Sequence, residues 1–585
     1  MVGKDWEDGF MMGIAVGSTA ETSSVDPTSY SPPSDWINID DCAVGNINLL
    51  VSDTSMATYA FNCTTSSGQY HVDWGDGTSS DVNSGSTAQH AYTVGSGQAC
   101  SRGYTTFKVV ISPVSGDLSS FTVITHSSSR SPQTHHILAC VCGAINITSL
   151  EHAFYYGLSS TTVTCPALEW FRTSGTLSHC LNSKNMFYQC YSLQSVDVSG
   201  LNAVTDASYM FYSCYDLESI NIGGMDSIVD ASYMFYYCYS LRLITANGLS
   251  SITTTSNMFN RCYALEKVNA SGMSSVTTVS AMFGYCSALQ TVDVSGMSSL
   301  TSAATMFYLC YALQEVNVSG MTSLLNANQM FDTCHALQDV NISGLSSVTN
   351  ASYMFGSCYS LQNINLSSMT SVTNALGMFS NCKSIRNIDI SSMTSITDSS
   401  YMFAECYSLQ VISANGLSAV INTTQMFVNC YGLKKVDINS MVSVSNATSM
   451  FYKCYSLESV VSTNFSSSAS SLNALAMFTF CEQLRSVDLS NAKLTSLSIN
   501  GDNYYPTLIR YINISTLLFS PLSTFSSSTS PQLDISYTTL TAAQIDTIFT
   551  ALPTVTSKTV KITGSTGAAT CTRSIATDKG WIVSG

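Results

Sequence analysis

The sequence predicts a mainly β fold in which a β-sandwich leads into a solenoid of 24-residue coils closed by an α/β cap. Three observations carry that prediction. Met-Phe recurs at Met186, Met210, Met234, Met258, Met282, Met306, Met330, Met354, Met378, Met402, Met426 and Met450, always 24 residues apart, and once more at Met477. A period this strict marks an architecture in which each unit packs only on its neighbours. Ahead of the array, "YHVDWGDGT" and "TTFKVVI" read as strands around a tight glycine turn. Behind it, residues 531–585 read strand, helix, strand, helix, strand.

Composition narrows the function classes. A chain of 585 residues exceeds what one compact core holds. Its 45% hydrophobic content supplies cores throughout, but only 10% is charged, and 21 Lys+Arg against 37 Asp+Glu leave a net charge of −16. No basic patch for nucleic acid is expected. "MVGKDWEDGFMMGIAVGSTAE" sets Asp5, Glu7 and Asp8 where a secretory leader carries positive charge, so export by the general route is not expected. No stretch reaches the ~18 apolar residues of a membrane span, which argues against membrane insertion. Residues 1–38, ending in the "SPPSD" break, read as an attachment segment and linker.

Residues 39–115 form the expected sandwich. The stretch "DWGDG" supplies the chemistry of a tight turn. Gly75, Asp76, Gly77, His90 and Tyr92 fit the signature of the polycystic-kidney-disease (PKD) type of immunoglobulin-like domain, which this region resembles. Asp73 and Asp76 are candidates for holding a cation, although aspartates in such turns more often accept from nearby backbone N–H groups. Residues 116–185 read as a bridge and first cap of the solenoid. Here "THHILACVCGAINITSL" offers His135, His136, Cys140 and Cys142. Strand alternation puts His136, Leu138, Cys140 and Cys142 on one face, where an extended chain cannot wrap them around one ion. The first strand of the solenoid is the expected reading, with no metal.

Coils fill residues 186–500. Within one copy Met210, Cys214 and Leu217 fall at i, i+4 and i+7, the spacing of a short helical turn. Ile220 and Ile222 then alternate with Ser219 and Asn221 as a half-buried strand, Gly224 turns the chain, and Met225 and Ile228 return apolar groups inward. With strands about 4.8 Å apart, thirteen coils make a rod of roughly 60 Å. Cys190, Cys214, Cys238, Cys262, Cys286, Cys310, Cys334, Cys358, Cys382, Cys406, Cys430, Cys454 and Cys481 hold one offset. Stacked equivalents point the same way, and a disulfide needs facing Cβ vectors, so small buried thiols are expected. The other eight, Cys42, Cys63, Cys100, Cys140, Cys142, Cys165, Cys180 and Cys571, show no framework spacing. Asp197, Asn221, Asn269, Asp293, Asn317, Asn341, Asn365, Asp389 and Asp437 form a strand column expected to be a solvated ladder, its mixed Asn and Asp limiting repulsion between rungs.

On these residues the array resembles the BspA-like leucine-rich repeats, whose units read roughly "MFxxCxxLxxLxLS". That resemblance implies binding rather than catalysis, since such arrays occur on surface adhesins and in phage proteins. The closing segment 501–585 reads as further repeats and a cap, with Thr541 capping a helix that carries Ile545, Ile548 and Leu552 on one face. A solenoid needs its last edge covered. This cap resembles those of tailed-phage and bacterial surface proteins, and the order of parts is similar to that of phage virion proteins.

No HExxH, P-loop or nucleophile elbow is present in the sequence, and no enzyme activity or cofactor is expected. The variable residues are more telling. Tyr follows the repeat Cys in nine copies, as Tyr191, Tyr215, Tyr239, Tyr263, Tyr311, Tyr359, Tyr407, Tyr431 and Tyr455, and follows Met-Phe at Tyr188, Tyr212 and Tyr236. Tyrosine gives rigid amphipathic contact area at low entropy cost, so these twelve are the candidate ligand-binding residues. An equal reading has them shielding the core edge. The expected function is a non-enzymatic recognition rod on a virion surface, a tail or head fibre. It would bind a host-surface glycan or protein and reach other virion proteins through its N-terminal segment. A bacterial cell-surface adhesin, or a structural capsid-decoration or filament subunit, is the alternative. A homo-oligomer is left open.

Overall fold

A computed structural model describes residues 32–53, 58–123, 137–155, 167–245, 250–462, 464–499, 516–519, 525 and 531–585. Residues 1–31, which make up most of the attachment segment, lie outside the described residues, as do His135, His136 and Cys165.

Eight strands open the described chain: β1 (Ile47–Ser52), β2 (Thr58–Thr65), β3 (Gln69–Asp73), β4 (Ser79–Asn83), β5 (Thr87–Ala91), β6 (Gln98–Ala99), β7 (Thr105–Pro113) and β8 (Leu118–Val123). They pair antiparallel in two sheets, β4-β3-β7-β1 and β5-β2-β8, with β6 on β7. Strand alternation turns Tyr70 and Val72 of β3 inward. They join Tyr59, Phe61, Trp74, Phe107 and Phe121, all fully buried.

Both sheets run on into the solenoid. β9 (Ile137–Cys142) pairs antiparallel with β1 and parallel with β10 (Trp170–Thr173), and β10 pairs with Ser195–Asp197 of the first full coil. On the other side Ser120 of β8 bridges Ser149, and a ladder of single bridges continues through Asn182 and Asp206 to Asn473. One core cluster therefore extends from Ile47 to Trp581. β9 departs from strict alternation. Register shifts between Leu50, opposite Ala139, and Val51, opposite Ile137, so Leu138 is the extra residue of a bulge. Leu138 packs with Ala139 and Val141 rather than with Cys140 and Cys142, which face the main core.

The expected helical turn does not form. Tyr209 and Ser213, just before Met210 and Cys214, both take φ of +58°, the left-handed region. Two kinds of hydrogen bond alternate along this stretch. Met210, Tyr212 and Cys214 donate their N–H groups three residues back, to Ala207, Tyr209 and Phe211. Tyr209, Phe211 and Ser213 donate to the next coil, at Ser232, Met234 and Tyr236. Apolar spacing of four and three mimics a helix because consecutive left-handed turns also return Met, Cys and Leu to one side. The same geometry recurs through Asn257, Thr305, Gln425 and the other equivalents. Inter-coil bonds offset the strain of φ above zero in residues other than glycine.

Each repeat thiol makes a specific contact. Cys238 Sγ donates to the carbonyl of Phe211 in the preceding coil at 3.1 Å, and Cys310 to Phe283 at 3.0 Å. The Phe211 carbonyl also accepts from Cys214 N–H, so both lone pairs are used. Described cysteines are free thiols, and burial pushes the Cys310 thiol far above its ordinary value. The strand column is likewise more than a solvated ladder. Each of its Asp and Asn side chains accepts from the N–H two residues on, as Asp197 does from Ser199 at 2.9 Å and Asn221 from Gly223 at 2.8 Å. These Asx turns end the strand and open the corner. A second column, Asp206, Asp230, Asn350 and Asp398 among others, does the same along the single-bridge ladder, accepting from Ser208, Ser232, Ser352 and Ser400.

At the far end, Leu533–Asp534, α1 (Ala542–Ala551), Lys558–Lys561, α2 (Ser574–Thr577) and Trp581–Ser584 follow in order, the strands parallel. Thr541 caps α1, its N–H donating to Gln544 Oε1 at 2.7 Å. Ile545, Ile548 and Phe549 are the buried residues of α1. No helix of the described residues is long and apolar enough to cross a membrane.

Candidate functional site

The stacking rule that builds the core also builds the surface, because any side chain repeated every 24 residues meets its equivalent one coil away. The twelve candidate tyrosines are half-buried or exposed, on columns beside the buried Met, Phe and Cys. Tyr188, Tyr212 and Tyr236 stack at 4.6 and 5.2 Å between ring centroids. Tyr191, Tyr215, Tyr239 and Tyr263 stack at 4.5, 4.7 and 5.2 Å. Farther along the same column His335 lies between Tyr311 and Tyr359, and Tyr407, Tyr431 and Tyr455 stack at 5.0 and 5.3 Å. Burial and the charge of Lys383 hold the His335 imidazole below its ordinary value, and Lys383 Nζ lies 3.8 Å over Tyr359.

Only over the first coils do the columns merge into a patch, and residues outside the predicted set join them. Tyr237 touches Tyr236 edge-on at 4.4 Å and Tyr239 at 5.6 Å, bridging the two columns. Tyr209 and Tyr233 stack at 4.7 Å as a third column that meets Tyr212 and Tyr236. Tyr155 extends the patch toward the N-terminal strands through Tyr188, at 5.0 Å. Arg261 sits over the rings of Tyr237 and Tyr285 at 5.1 and 4.8 Å. The signal for Tyr237, Arg261 and Tyr285 lay in the two variable positions between Met-Phe and Cys, which read Tyr-Tyr, Asn-Arg and Gly-Tyr in consecutive copies.

The geometry limits what the patch offers. Rings stacked face to face cover one another's faces, so the columns present ring edges and hydroxyl groups outward. Burial, and after it neighbouring phenols, push Tyr239 up to about 12, and burial with Tyr237 does the same to Tyr236. These two hydroxyl groups are therefore neutral donors and acceptors near neutral pH.

In the turn after β3, Asp73 and Asp76 have local partners. Asp73 accepts from Gly75 N–H at 2.9 Å. Asp76 accepts from Thr78 N–H at 3.0 Å and faces His90 Nε2 at 2.8 Å. His90 stacks on Trp74, and Tyr92 donates to the Trp74 carbonyl at 2.7 Å. Gly75 has φ of +76°, and a Cβ there would lie 2.3 Å from the Lys108 carbonyl oxygen. Among the described residues no three His, Cys, Asp or Glu gather as a metal site.

Solved structures resemble the chain distantly. A leucine-rich repeat protein from Eubacterium ventriosum is 16% identical over 63% of this chain and 86% of its own, with a TM-score of 0.31. The Toll–Spätzle complex of Drosophila aligns at 13% identity over 76% of this chain and 64% of the other, with a TM-score of 0.22. The ectodomain of a plant membrane receptor kinase from Arabidopsis thaliana, in complex with Casparian strip integrity factor 2, gives 11%, 72% and 62%, with a TM-score of 0.15. No curated protein matches the sequence. The family model for the BspA type leucine rich repeat region matches at residues 147–252, 207–329, 301–423, 327–458 and 399–531. Repeat proteins of this type are suited to surface binding or adhesion, and no catalytic family is indicated. The matches span 147–531, well over half of a chain whose coils, core columns and bridge ladders are those of a stacked repeat: the protein belongs to the BspA type leucine-rich repeat family.

Proposed function

We propose that the protein is a non-enzymatic recognition rod whose tyrosine-paved edge binds a glycan or protein on a host cell surface, carried as a tail or head fibre on a phage virion. One observation carries the binding reading: the merged patch of Tyr155, Tyr188, Tyr191, Tyr209, Tyr212, Tyr215, Tyr233, Tyr236, Tyr237 and Tyr239 with Arg261. Interfaces are enriched in Tyr and Arg, which combine apolar area with polar reach. The virion setting rests on the order of parts, a PKD-like module ahead of the coils and a cap behind. The Asp76–His90 and Tyr92–Trp74 contacts around Gly75 and Gly77 support the PKD-like reading.

The test changes six patch residues, Tyr188, Tyr191, Tyr212, Tyr215, Tyr236 and Tyr239, to Ser in the full chain. Truncating a buried contact aromatic costs about 2 kcal/mol or more of binding, so host-cell attachment is expected to vanish while the chain stays folded. Attachment unchanged in a folded variant would remove the patch as the reader and favour a structural subunit. Mass spectrometry of purified particles, which must contain the chain, tests the virion setting separately.

A further inference from the structure

On the strand face the parallel ladder is continuous as far as Asp339–Asn341 and resumes at Val411–Ser413. Across the two coils between, the N–H groups of residues 362–366 and 384–390 make no inter-coil hydrogen bond, although Gln338 and Gln410 on either side donate to Gln314 and Arg386. The inner Phe rings stay stacked there, at 5.5 and 5.6 Å, and so does the opposite bridge ladder, so only the strand face opens. The break coincides with two successive corners whose glycine has become serine, Ser368 and Ser392. Gly296, Gly320 and Gly344 before them all take φ between +85° and +101°. Ser440 shows that a single serine corner leaves the ladder paired.

The opening is a cleft of about 340 Å³ lined by Gln362, Asn363, Ser384, Arg386, Asn387 and Ser408. Every lining residue is polar and none is acidic. The position two after Cys is Ala in the four copies just before, Ala264, Ala288, Ala312 and Ala336, and is Ser360, Ser384 and Ser408 here, as at Ser192 and Ser240. Arg386 has neutral rung neighbours, Gln362 and Gln410, whereas Arg242 in the same column pairs with Glu266 at 2.7 Å. Among the described residues Arg386 makes no ion pair, in a chain of net charge −16.

We infer that this cleft binds an acidic sugar unit, with Arg386 taking the carboxylate and the Asn, Gln and Ser side chains taking the ring hydroxyl groups. A guanidinium matches a carboxylate bidentately, and amides and hydroxyls both donate and accept, as a polyhydroxylated ring requires. The volume lies in the range of small-molecule sites, and the absence of an apolar wall disfavours an apolar ligand. This inference is independent of the tyrosine patch, which lies on earlier coils.

The full chain is titrated with sodium glucuronate, with glucose and with inorganic phosphate, by ligand-observed NMR. Glucuronate is expected to bind in the millimolar range, as suits one small ring, and glucose at least about tenfold more weakly. Arg386→Gln should weaken glucuronate binding about tenfold or more, since a charge-assisted pair is lost. Arg242→Gln and the six-tyrosine variant should bind as the parent does. No glucuronate binding, equal binding of glucose, or no effect of Arg386→Gln overturns the site. Phosphate competing as well as glucuronate would reduce it to a bare anion contact and overturn the sugar assignment.

Discussion

Two aromatic columns share one period and differ in what they tolerate. The inner one, from Phe154 through Phe187 and Phe307 to Phe478, stacks without a missing rung at 5.2–5.6 Å. The outer one begins Tyr191, Tyr215, Tyr239, Tyr263 and then admits Ser287, His335 and Lys383. Spacing is set by the backbone ladder in both. What differs is the loss on substitution: an inner gap leaves a void in a close-packed core, while an outer gap is filled by water or a ligand. Outer columns are therefore where one coil can differ from the next, and both proposed sites lie on them.

The comparison breaks most severely by shifting register. Deleting residues 306–329 removes one whole coil and returns every column to its place, whereas deleting 306–317 sets Phe331 at the corner position of Ser319. The first variant is expected to keep the parent's circular dichroism and thermal transition, and the second to fail to fold. Equal folding of both would show that the columns do not hold the array together.

A smaller effect is expected from a single rung. Phe307→Ala should cost about 3–5 kcal/mol, from transfer and cavity together. Tyr311→Ser should cost under about 1 kcal/mol, as an edge residue away from the core. Hydrogen exchange of neighbouring coils reads both as local opening free energies, which suits an array that need not melt as one unit. Similar losses at the two sites would erase the distinction between the columns.

How far these columns were legible follows from the same distinction. Inward Met, Phe, Cys and Leu repeat because packing leaves them no choice, so periodicity found the coil, its core and its reduced thiols. The left-handed turns at Tyr209 and Ser213 left no such mark. Their stability comes from backbone bonds to the next coil, and equivalent positions carry Asn, Gln, Thr, Arg and Leu alike. Leu138 was misplaced for a related reason, since a bulge is set by register against β1 and not by β9's own alternation. The patch was half visible: two tyrosine columns stood out by repetition, while Tyr237, Arg261 and Tyr285 act through neighbours on adjacent coils, which a single repeat does not display.

Cys310→Ala should rank below Phe307→Ala, at about 1–2 kcal/mol, from a small volume change plus loss of the Sγ bond to the Phe283 carbonyl. That carbonyl keeps its bond from Cys286 N–H, which limits the loss. Alkylation without reductant should label the repeat cysteines only after unfolding. Rapid labelling of the folded chain would contradict the burial of the column.

The smallest expected effect is a pH response confined to alkaline solution, and it separates the columns by chemistry. Phe carries no titrating group, so the inner column is indifferent to pH. Tyr236 and Tyr239 are pushed up to about 12, by burial first and then by neighbouring phenols, from an ordinary value of about 10. A folded value above the unfolded one means that the folded chain holds these protons more tightly. Stability from the patch is thus fully present below about pH 10 and is lost as pH rises toward 12. Melting temperature and host-cell attachment should be flat between neutral pH and about 9 as far as these phenols decide them, then fall. Changing Tyr236 and Tyr239 to Phe should remove part of the alkaline fall while keeping the stacking. Phenolate absorbance, followed as difference spectra between the parent and this double variant, should place their ionisation above that of free tyrosine. Ionisation at the free value would mean that the rings stand in water, and the merged patch would then be no more than a row of separate side chains.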